Sequence, residues 1–221
     1  MFAIGHFALG YLAGKGSSKV TKTDLNLPLL LVASILPDID LLLQNLNMGL
    51  FMHRGPTHSI ITITVFMIPF FMYYRKQALP YYIAALSHPL LGDFPTGGIE
   101  MLWPVSQHWF GSFTLPVGSF FEVVAELLLF AIATSLMCWS GDLKRLLQPC
   151  THNIYLIIAF GAVLGPMLEI SRGLDASLPL LLVPSSVFWL ILFAYSILKD
   201  LRTKNSNGNI NNNASVKGST L

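Results

Sequence analysis

Histidine and aspartate residues gather in one part of a chain that otherwise avoids charge. The segment 53–59 reads HRGPTHS and lies between two apolar stretches, with Asp38 and Asp40 before it and His88 and Asp93 after it. Imidazole and carboxylate groups together are typical ligands of zinc, iron or manganese, whereas calcium and magnesium prefer all-oxygen shells. A mixed set of this kind with an open position activates water, so the pattern predicts metal-assisted hydrolysis.

We expect a divalent metal ion at this site, with zinc as the first choice and manganese or iron as alternatives. Arg54 suits a bidentate contact with a phosphate or carboxylate group. Asp40 and Thr57 complete the predicted catalytic set, although Asp40 is equally suited to orient an imidazole ligand. His6 and His53 are open between binding the metal and hydrogen-bonding to its ligands. The candidate metal ligands are His6, Asp38, His53, His58, His88 and Asp93.

Proline and glycine residues interrupt the chain beside these ligands. Pro37 should end or kink its helix. Two aspartates at positions i and i+2 cannot share one helical face, so the step containing Asp38 should turn toward the bundle interior. After Pro56, either Thr57 or Ser59 is placed to cap the next helix.

A second interruption separates His88 from Asp93. The two residues are five positions apart across a proline and a glycine. This spacing favours a helix end that opens into the following loop over a continuous helix.

The composition indicates a membrane protein. Of the 221 residues, 53% are hydrophobic and 11% are charged, and the mean hydropathy is +0.62, whereas soluble chains average about 25% charged residues. The fold class that we predict is all-α: a polytopic transmembrane helical bundle of six or seven segments, some short or broken by proline. The alternative is a soluble all-helical protein with a large core. The apolar runs lie at 2–14, 27–46, 59–74, 79–92, 116–139, 153–170 and 178–198.

The chain divides by composition into one membrane domain and a polar tail. We expect a single integral-membrane domain over 1–200, with the motif-bearing half at 1–106 and an apolar helical half at 107–200. The segment 204–221 is rich in Asn, Ser and Gly and cannot bury a core, so we expect it to be disordered. Cys138 and Cys150 have no metal-binding or disulfide spacing, and we interpret both as reduced.

Basic residues predict the orientation in the membrane. Four clusters follow alternate apolar segments and hold 11 of the 13 Lys and Arg residues, so they share one side if all seven segments cross. The positive-inside rule makes that side cytoplasmic and predicts a multi-pass cell-membrane protein with a cytoplasmic C-terminal tail. All candidate ligands then lie at the opposite face. The clustered residues are Lys15, Lys19, Lys22, Arg75, Lys76, Lys144, Arg145, Lys199, Arg202, Lys204 and Lys217.

Other polar groups leave several roles open. Glu122 and Glu126 lie one helical turn apart, and they are suited to complete a metal site, to relay protons or to pair with Arg172. Glu169 and Asp175, on either side of Arg172, should form a solvated charge cluster. His108 is a weaker candidate ligand in the 94–115 loop.

Small residues also suggest close helix contacts. Gly10 with Gly14, and Gly161 with Gly165, match the spacing that lets two membrane helices approach each other. No phosphate-binding loop, dinucleotide fingerprint or nucleophile elbow occurs, and the net charge of +2 is explained by the loops. We therefore expect no nucleic-acid partner. The expected partners are membrane lipids and an unidentified small-molecule or lipid substrate.

Five sequence blocks in the first half of the chain occur in a specific order. They are Ile4-Gly5-His6, Leu36-Pro37-Asp38-Ile39-Asp40, the 53–59 segment, Ser87-His88 with Gly92-Asp93, and Thr96-Gly97-Gly98 running to Leu102-Trp103-Pro104. These blocks resemble the membrane-bound metal-dependent hydrolase family that includes the YdjM-like, LexA-regulated inner-membrane proteins. The resemblance covers roughly residues 1–106, and it implies an integral-membrane helical hydrolase without naming a substrate. A more distant similarity in ligand style to zinc-dependent phospholipase C and P1-type nucleases suggests phosphoester chemistry. The polar positions that match the family are His6, Asp38, His53, His58, His88 and Asp93.

Three functions are consistent with these observations. The leading hypothesis is a membrane hydrolase in which metal-activated water attacks an ester or phosphoester at the extracytoplasmic face. The second is a transporter that binds a metal ion or proton in transit, since polar groups in broken helices also mark transport sites. The third is a non-catalytic scaffold with a structural metal site, which would be saturated by protein ligands, whereas a catalytic site keeps an open position.

Overall fold

The described chain is built from α-helices and short turns. The structure is a computed structural model that describes residues 1–41, 53–172 and 178–218, with side chains described outside 169–172 and 205–218. Among these residues there is no β-strand, only an isolated antiparallel bridge between Ile99 and Phe110, so the predicted all-α fold is confirmed. The helices are α1 (Ala3–Thr21), α2 (Leu27–Ile35), α3 (Ile60–Tyr74), α4 (Leu79–Ser87), α5 (Phe120–Trp139), α6 (Asp142–Leu146), α7 (Leu156–Arg172) and α8 (Val183–Gly218).

Short side chains start several of these helices. The side chain of Asn26 accepts a hydrogen bond from the backbone N–H of Leu29 and caps α2. Ser59 caps α3 by accepting from two backbone N–H groups, so Ser59, and not Thr57, is the capping residue. These bonds satisfy donors that the first turn of a helix leaves unpaired.

Helix α1 lies at the centre of the bundle and packs against α2, α4 and α5. Its Phe7 and Tyr11 are fully buried, and Phe7 contacts the rings of Trp189 and Phe193 from α8. Gly10 lies directly against Ser34 of α2, where an added Cβ would clash. The small residue at position 10 therefore permits the close approach of α1 and α2.

The predicted glycine pairs differ in their surroundings. Gly14 lies against Leu30 of α2, as expected for a helix contact, whereas a Cβ at Gly161 or Gly165 would meet open space. The spacing therefore marks a helix contact in α1 but not in α7 among the residues that the structure describes.

Successive helices run between two ends of the bundle. The N-terminal ends of α1, α3 and α5 lie with the C-terminal ends of α2 and α4 at one end, which we call the site end. At the other end, Lys15 of α1 forms an ion pair with Asp142 at the start of α6. Asp142 also accepts hydrogen bonds from Tyr11 and Ser140, both at 2.9 Å. This polar cluster ties α1 to the loop after α5.

Three described segments are long and apolar enough to cross a membrane. They are Phe120–Trp139, Thr151–Leu168 and Leu180–Lys204. The predicted count of six or seven crossing segments is therefore not confirmed. Helices α2, α3 and α4 have 9, 15 and 9 residues, because the turns that carry Asp38, His58 and His88 interrupt the chain beside them.

Some expectations fall on parts of the chain about which the structure says little. Asp175 lies outside the described residues, as do the side chains of Glu169 and Arg172, so their predicted charge cluster stays a prediction. Helix α8 continues to Gly218, into the segment for which the composition predicts disorder. Residues 219–221 lie outside the described part.

Candidate metal centre

Interruptions in three helices bring four candidate ligands together. Asp38 closes a 3₁₀ turn, Leu36–Asp38, which follows α2 at Pro37. His58 closes a second 3₁₀ turn, Pro56–His58, immediately before α3. Both turns place their last side chain at the site end of the bundle, as the prolines predict.

His88 and Asp93 come from the two ends of a single π-helical turn, His88–Asp93. This turn continues α4 into a further helical segment, Phe94–Thr96, so the predicted helix end between His88 and the 94–98 loop is wrong. In a π-helical turn the backbone hydrogen bonds join residues i and i+5, so the turn is wider than that of an α-helix. A spacing of five residues therefore places both side chains on the same side, although it would separate them on an α-helix. Turns of this kind occur frequently at functional sites.

The four side chains converge on one small volume. Asp93 Oδ2 lies 3.2 Å from both His58 Nε2 and His88 Nε2. Asp38 Oδ1 lies 3.2 Å from His88 Nε2 and 3.5 Å from His58 Nε2. All four ligand atoms lie within 4.8 Å of one another, a grouping able to hold a metal ion.

Hydrogen bonds on the far sides of the imidazole rings fix their orientation. His88 Nδ1 lies 2.8 Å from the backbone oxygen of Ser34, which can only accept, so this nitrogen carries the proton. His58 Nδ1 lies 3.2 Å from a carboxylate oxygen of Asp40 and donates in the same way. In the neutral rings both Nε2 atoms are therefore bare and point into the cluster, as in metal sites whose histidines are held by outer partners.

This donor set fits a divalent cation. The two Nε2 atoms lie 3.2 Å apart, and each faces carboxylate oxygens that also carry lone pairs. Asp93 Oδ2 is buried and has no hydrogen-bond partner. Buried lone pairs that face one another repel, and they need a positive charge between them. Two imidazoles and two carboxylates suit zinc, iron or manganese.

The negative charges of the cluster raise the pKa of His58. Burial favours the neutral form of this imidazole, but Asp38, Asp40 and Asp93 outweigh it and raise the pKa of His58 well above its ordinary value. His53 and His58 hold the pKa of Asp40 below its usual range, against the effect of its own burial. The site therefore attracts a positive charge, which either a proton or a metal ion supplies.

Asp40 lies behind His58 and binds several groups of the 53–59 segment. Its side chain accepts hydrogen bonds from Thr57 Oγ1 at 2.8 Å and from the backbone N–H of Arg54 at 3.1 Å. His53 Nδ1 lies 3.1 Å from its other oxygen. Asp40, His53 and His58 also form a second grouping within reach of a metal ion. Asp40 is fully buried. Its contacts with His53, Arg54 and Thr57 connect the 53–59 segment to the turn after α2.

Arg54 reaches the opposite oxygen of Asp93. Its Nη2 lies 2.9 Å from Asp93 Oδ1 and 3.1 Å from Thr96 Oγ1. A Cβ at Gly97 would clash with the guanidinium, so glycine leaves room for it. The backbone of Arg54 has a φ of 67°, in the left-handed region that non-glycine residues rarely adopt. The structure thus places Arg54 where it orients Asp93.

His6 lies beside the four converging ligands. Its ring stacks on the ring of His88 with centroids 3.5 Å apart and packs against Gly92. Its Nε2 is 3.9 Å from Asp93 Oδ1, outside the group of four. His108 lies elsewhere, on the surface against Phe110.

Glu122 and Glu126 extend the site along α5, and both are fully buried. Glu126 accepts a hydrogen bond of 2.6 Å from the backbone N–H of Phe2. Glu122 Oε1 lies 3.7 Å from the amino group of Met1, which is 3.5 Å from Asp93. The two glutamates therefore face the first residues of α1 near the cluster. Pairing with Arg172 stays a prediction, since its side chain lies outside the described residues.

The structure places two groups at the site that the sequence analysis did not include among the site residues. The backbone oxygen of Ser34 orients His88, and Thr96 contacts Arg54. A backbone acceptor leaves no trace in the residue type, so Ser34 has no sequence signal. Thr96 had one, because it begins the Thr96-Gly97-Gly98 block, which follows Asp93 in the sequence.

The fold and the site define a helical membrane protein with a candidate His/Asp metal centre. The model of the YdjM inner membrane protein family matches residues 1–164 of the chain. The chain therefore belongs to the YdjM inner membrane protein family, as the sequence blocks predict. No curated protein and no solved structure matches it.

Proposed function

We propose that this protein is a membrane-embedded metal-dependent hydrolase that cleaves an ester or phosphoester at the site end of the bundle. The observation that carries the proposal is the convergence of two imidazole nitrogens with two carboxylates in a buried cluster. Asp38, His58, His88 and Asp93 would hold a divalent cation there, which would supply the Lewis acidity that activates water near neutral pH.

Exposure indicates where a substrate would approach. The side chain of Asp38 is 15% exposed, whereas those of His58, His88 and Asp93 are at most 2% exposed. The open side of the cluster therefore lies at Asp38. Water and substrate can reach a bound ion only from a side that is not buried, so the exposure of Asp38 supports a catalytic site over a scaffold.

The surrounding residues have distinct roles in this proposal. Asp40 holds the imidazole of His58, and Thr57 holds Asp40, so both act as positioning residues. Arg54 holds Asp93, and its guanidinium is suited to contact a phosphate or carboxylate of the substrate. His53 and His6 support the site from its two sides, through Asp40 and through the ring of His88.

Metal analysis of the purified full chain in detergent tests the proposal first. We expect about one metal ion for each chain, lost in His58→Ala and in Asp38→Ala and kept in the control His108→Ala, whose imidazole is exposed. Hydrolysis of phosphodiester, ester and phospholipid substrates should depend on the same residues. Folded wild-type protein without metal after zinc, manganese and iron supply would contradict the proposal.

A metal- or proton-coupled transporter is the second candidate. The ion pair between Lys15 and Asp142 favours transport. With His6 at the site end and Lys15 at the other end, α1 carries polar groups at both ends of the bundle, where a transported ion would enter and leave. Between them, Phe7 and Ala8 are fully buried and apolar. Flux measured in proteoliposomes separates the two functions: Lys15→Met should abolish transport but leave hydrolysis unchanged.

A further inference from the structure

A groove of about 770 Å³ opens on the side of the bundle away from the metal cluster. Its apolar lining includes Leu29 and Val32 of α2 and Leu36 of the turn that follows, which we call the α2 stripe. This stripe lies on a different face from Leu30 and Ser34, which pack on α1. Phe66 and Phe70 of α3 line the same groove. Its volume falls within the roughly 300–1,000 Å³ typical of ligand sites.

Polar groups collect at one end of this groove. They come from the segments that join the helices at the end opposite the metal cluster: the loop before α2, the turn before α4, and the region of α6 and the turn after it. The groove is therefore apolar along α2 and polar at one end, which is the form of a site for an amphiphile. The polar lining residues are Asp24, Asn26, Gln77, Arg145, His152 and Asn153.

Exposed aromatic residues mark the depth of this polar end. Tyr73 and Tyr74 end α3, Trp139 ends α5, and all three are exposed. Tyrosine and tryptophan concentrate at the boundary between hydrocarbon and lipid headgroups. Because Tyr74 also lines the groove, the polar end lies at headgroup level and the α2 stripe lies in the hydrocarbon.

The charges at the polar end have both signs. The side chain of Arg145 is 63% exposed and lies 3.6 Å from Asp142, whose other carboxylate oxygen is already paired with Lys15. The charge of Arg145 is thus only partly balanced within the protein. Asp24, also exposed, adds a negative charge to the same lining. A headgroup with a phosphate and an amine complements this pair.

We propose that this groove binds one phospholipid with an amine headgroup, phosphatidylethanolamine. One acyl chain lies along the α2 stripe, the phosphate contacts Arg145, and the ammonium faces Asp24. The bilayer interior is as apolar as the groove, so moving an acyl chain from one to the other gives little selectivity. Preference for the headgroup must therefore come from the polar end. Basic pockets between membrane helices bind anionic lipid headgroups, and the added negative charge of Asp24 beside Arg145 favours a headgroup that also carries an ammonium group.

Native mass spectrometry of the delipidated full chain tests this site directly. The probes are phosphatidylethanolamine, phosphatidylglycerol and phosphatidylcholine with identical acyl chains. We expect one phosphatidylethanolamine for each chain, bound about tenfold more tightly than either alternative, as the loss of one charge-assisted contact predicts. Equal retention of all three lipids, or tighter binding of phosphatidylglycerol, would overturn the proposal.

Variants locate the bound lipid. Arg145→Gln should weaken phosphatidylethanolamine binding about tenfold, whereas the neighbouring Lys144→Gln, outside the groove lining, should not. Asp24→Asn should remove the preference over phosphatidylglycerol. Ala33→Phe fills the groove beside Val32 and should prevent binding while metal content stays at the wild-type value. Unchanged lipid binding in both Arg145→Gln and Ala33→Phe would rule out this groove.

Discussion

Replacing Asp40 with asparagine should weaken metal binding without removing any of the four ligands. Oδ2 of Asp40 receives three contacts, from the backbone N–H of Arg54, from Thr57 and from His58, at 2.8 to 3.2 Å. The amide oxygen of asparagine can occupy that position and keep all three. The substitution removes the negative charge behind His58, and it replaces the oxygen that faces His53 with an amide NH2 group.

The size of the effect follows from this difference. Loss of an outer partner of a metal-binding histidine typically lowers metal affinity about 10- to 100-fold, which corresponds to about 1.4–2.7 kcal/mol. Asp40→Ala also removes the hydrogen bonds to Arg54 and Thr57, so its loss should be larger. Asp38→Asn, which replaces a ligand, should reduce binding more than Asp40→Asn.

Competition with a chromophoric chelator, on zinc-loaded protein in detergent, measures these affinities. Asp24→Asn serves as the matched control, because Asp24 is exposed and lies at the opposite end of the bundle. Circular dichroism confirms that each variant keeps its helices. Affinities of Asp40→Asn and Asp40→Ala within twofold of wild type would refute the role of Asp40 as the residue that orients His58.

Three further predictions concern pH, packing and charge. Since the carboxylates raise the pKa of His58 above its ordinary value of about 6.5, a proton competes with the metal below the raised pKa, and the metal Kd should rise about tenfold per unit of acidification for each proton displaced. Gly92→Ala should push the His6 ring off its stack and lower metal affinity, measured by the same competition. Lys15→Met leaves the buried Asp142 with only the exposed Arg145 as a cation and should destabilise the protein by less than the about 3–5 kcal/mol of a fully broken buried pair, measured by thermal unfolding, with metal affinity unchanged.

Each of these predictions has a clear contrary result. A metal Kd that stays constant from pH 5.5 to 7.5 would contradict the proton competition. Gly16→Ala, where a Cβ meets open space, is the control for Gly92→Ala, and equal metal affinities in the two variants would show that the His6 ring does not support the site. An unfolding temperature for Lys15→Met equal to that of Lys144→Gln would show that the buried ion pair contributes no net stability.

The fold class and the ligand types were predictable because their signals are local. Apolar runs interrupted by Pro37 and Pro56 predict helices that end beside Asp38 and His58, and the structure places both turns there. The family was likewise predictable, since its blocks lie in order along the first half of the chain. The number of membrane crossings was not predictable. Length and hydropathy identify a spanning helix only where no polar site interrupts it.

The glycine pairs show the limit of spacing as a signal. Both pairs have the same separation, yet only Gly10 and Gly14 lie against another helix among the described residues. A spacing of four places two residues on one helical face, but it does not determine what faces them. The neighbour of a helix is a property of the packed bundle.

The sequence by itself determined that this is a helical protein with histidine and aspartate candidate ligands grouped near helix ends, since residue type, hydropathy and proline breaks act within a few residues. Only the tertiary structure decided which of those groups converge. It separated Asp38, at the open side of the cluster, from Asp40, behind His58, and it brought Glu122 and Glu126 to the start of α1. These relations join residues up to 124 positions apart, and their geometry depends on how helices pack, which no local pattern encodes.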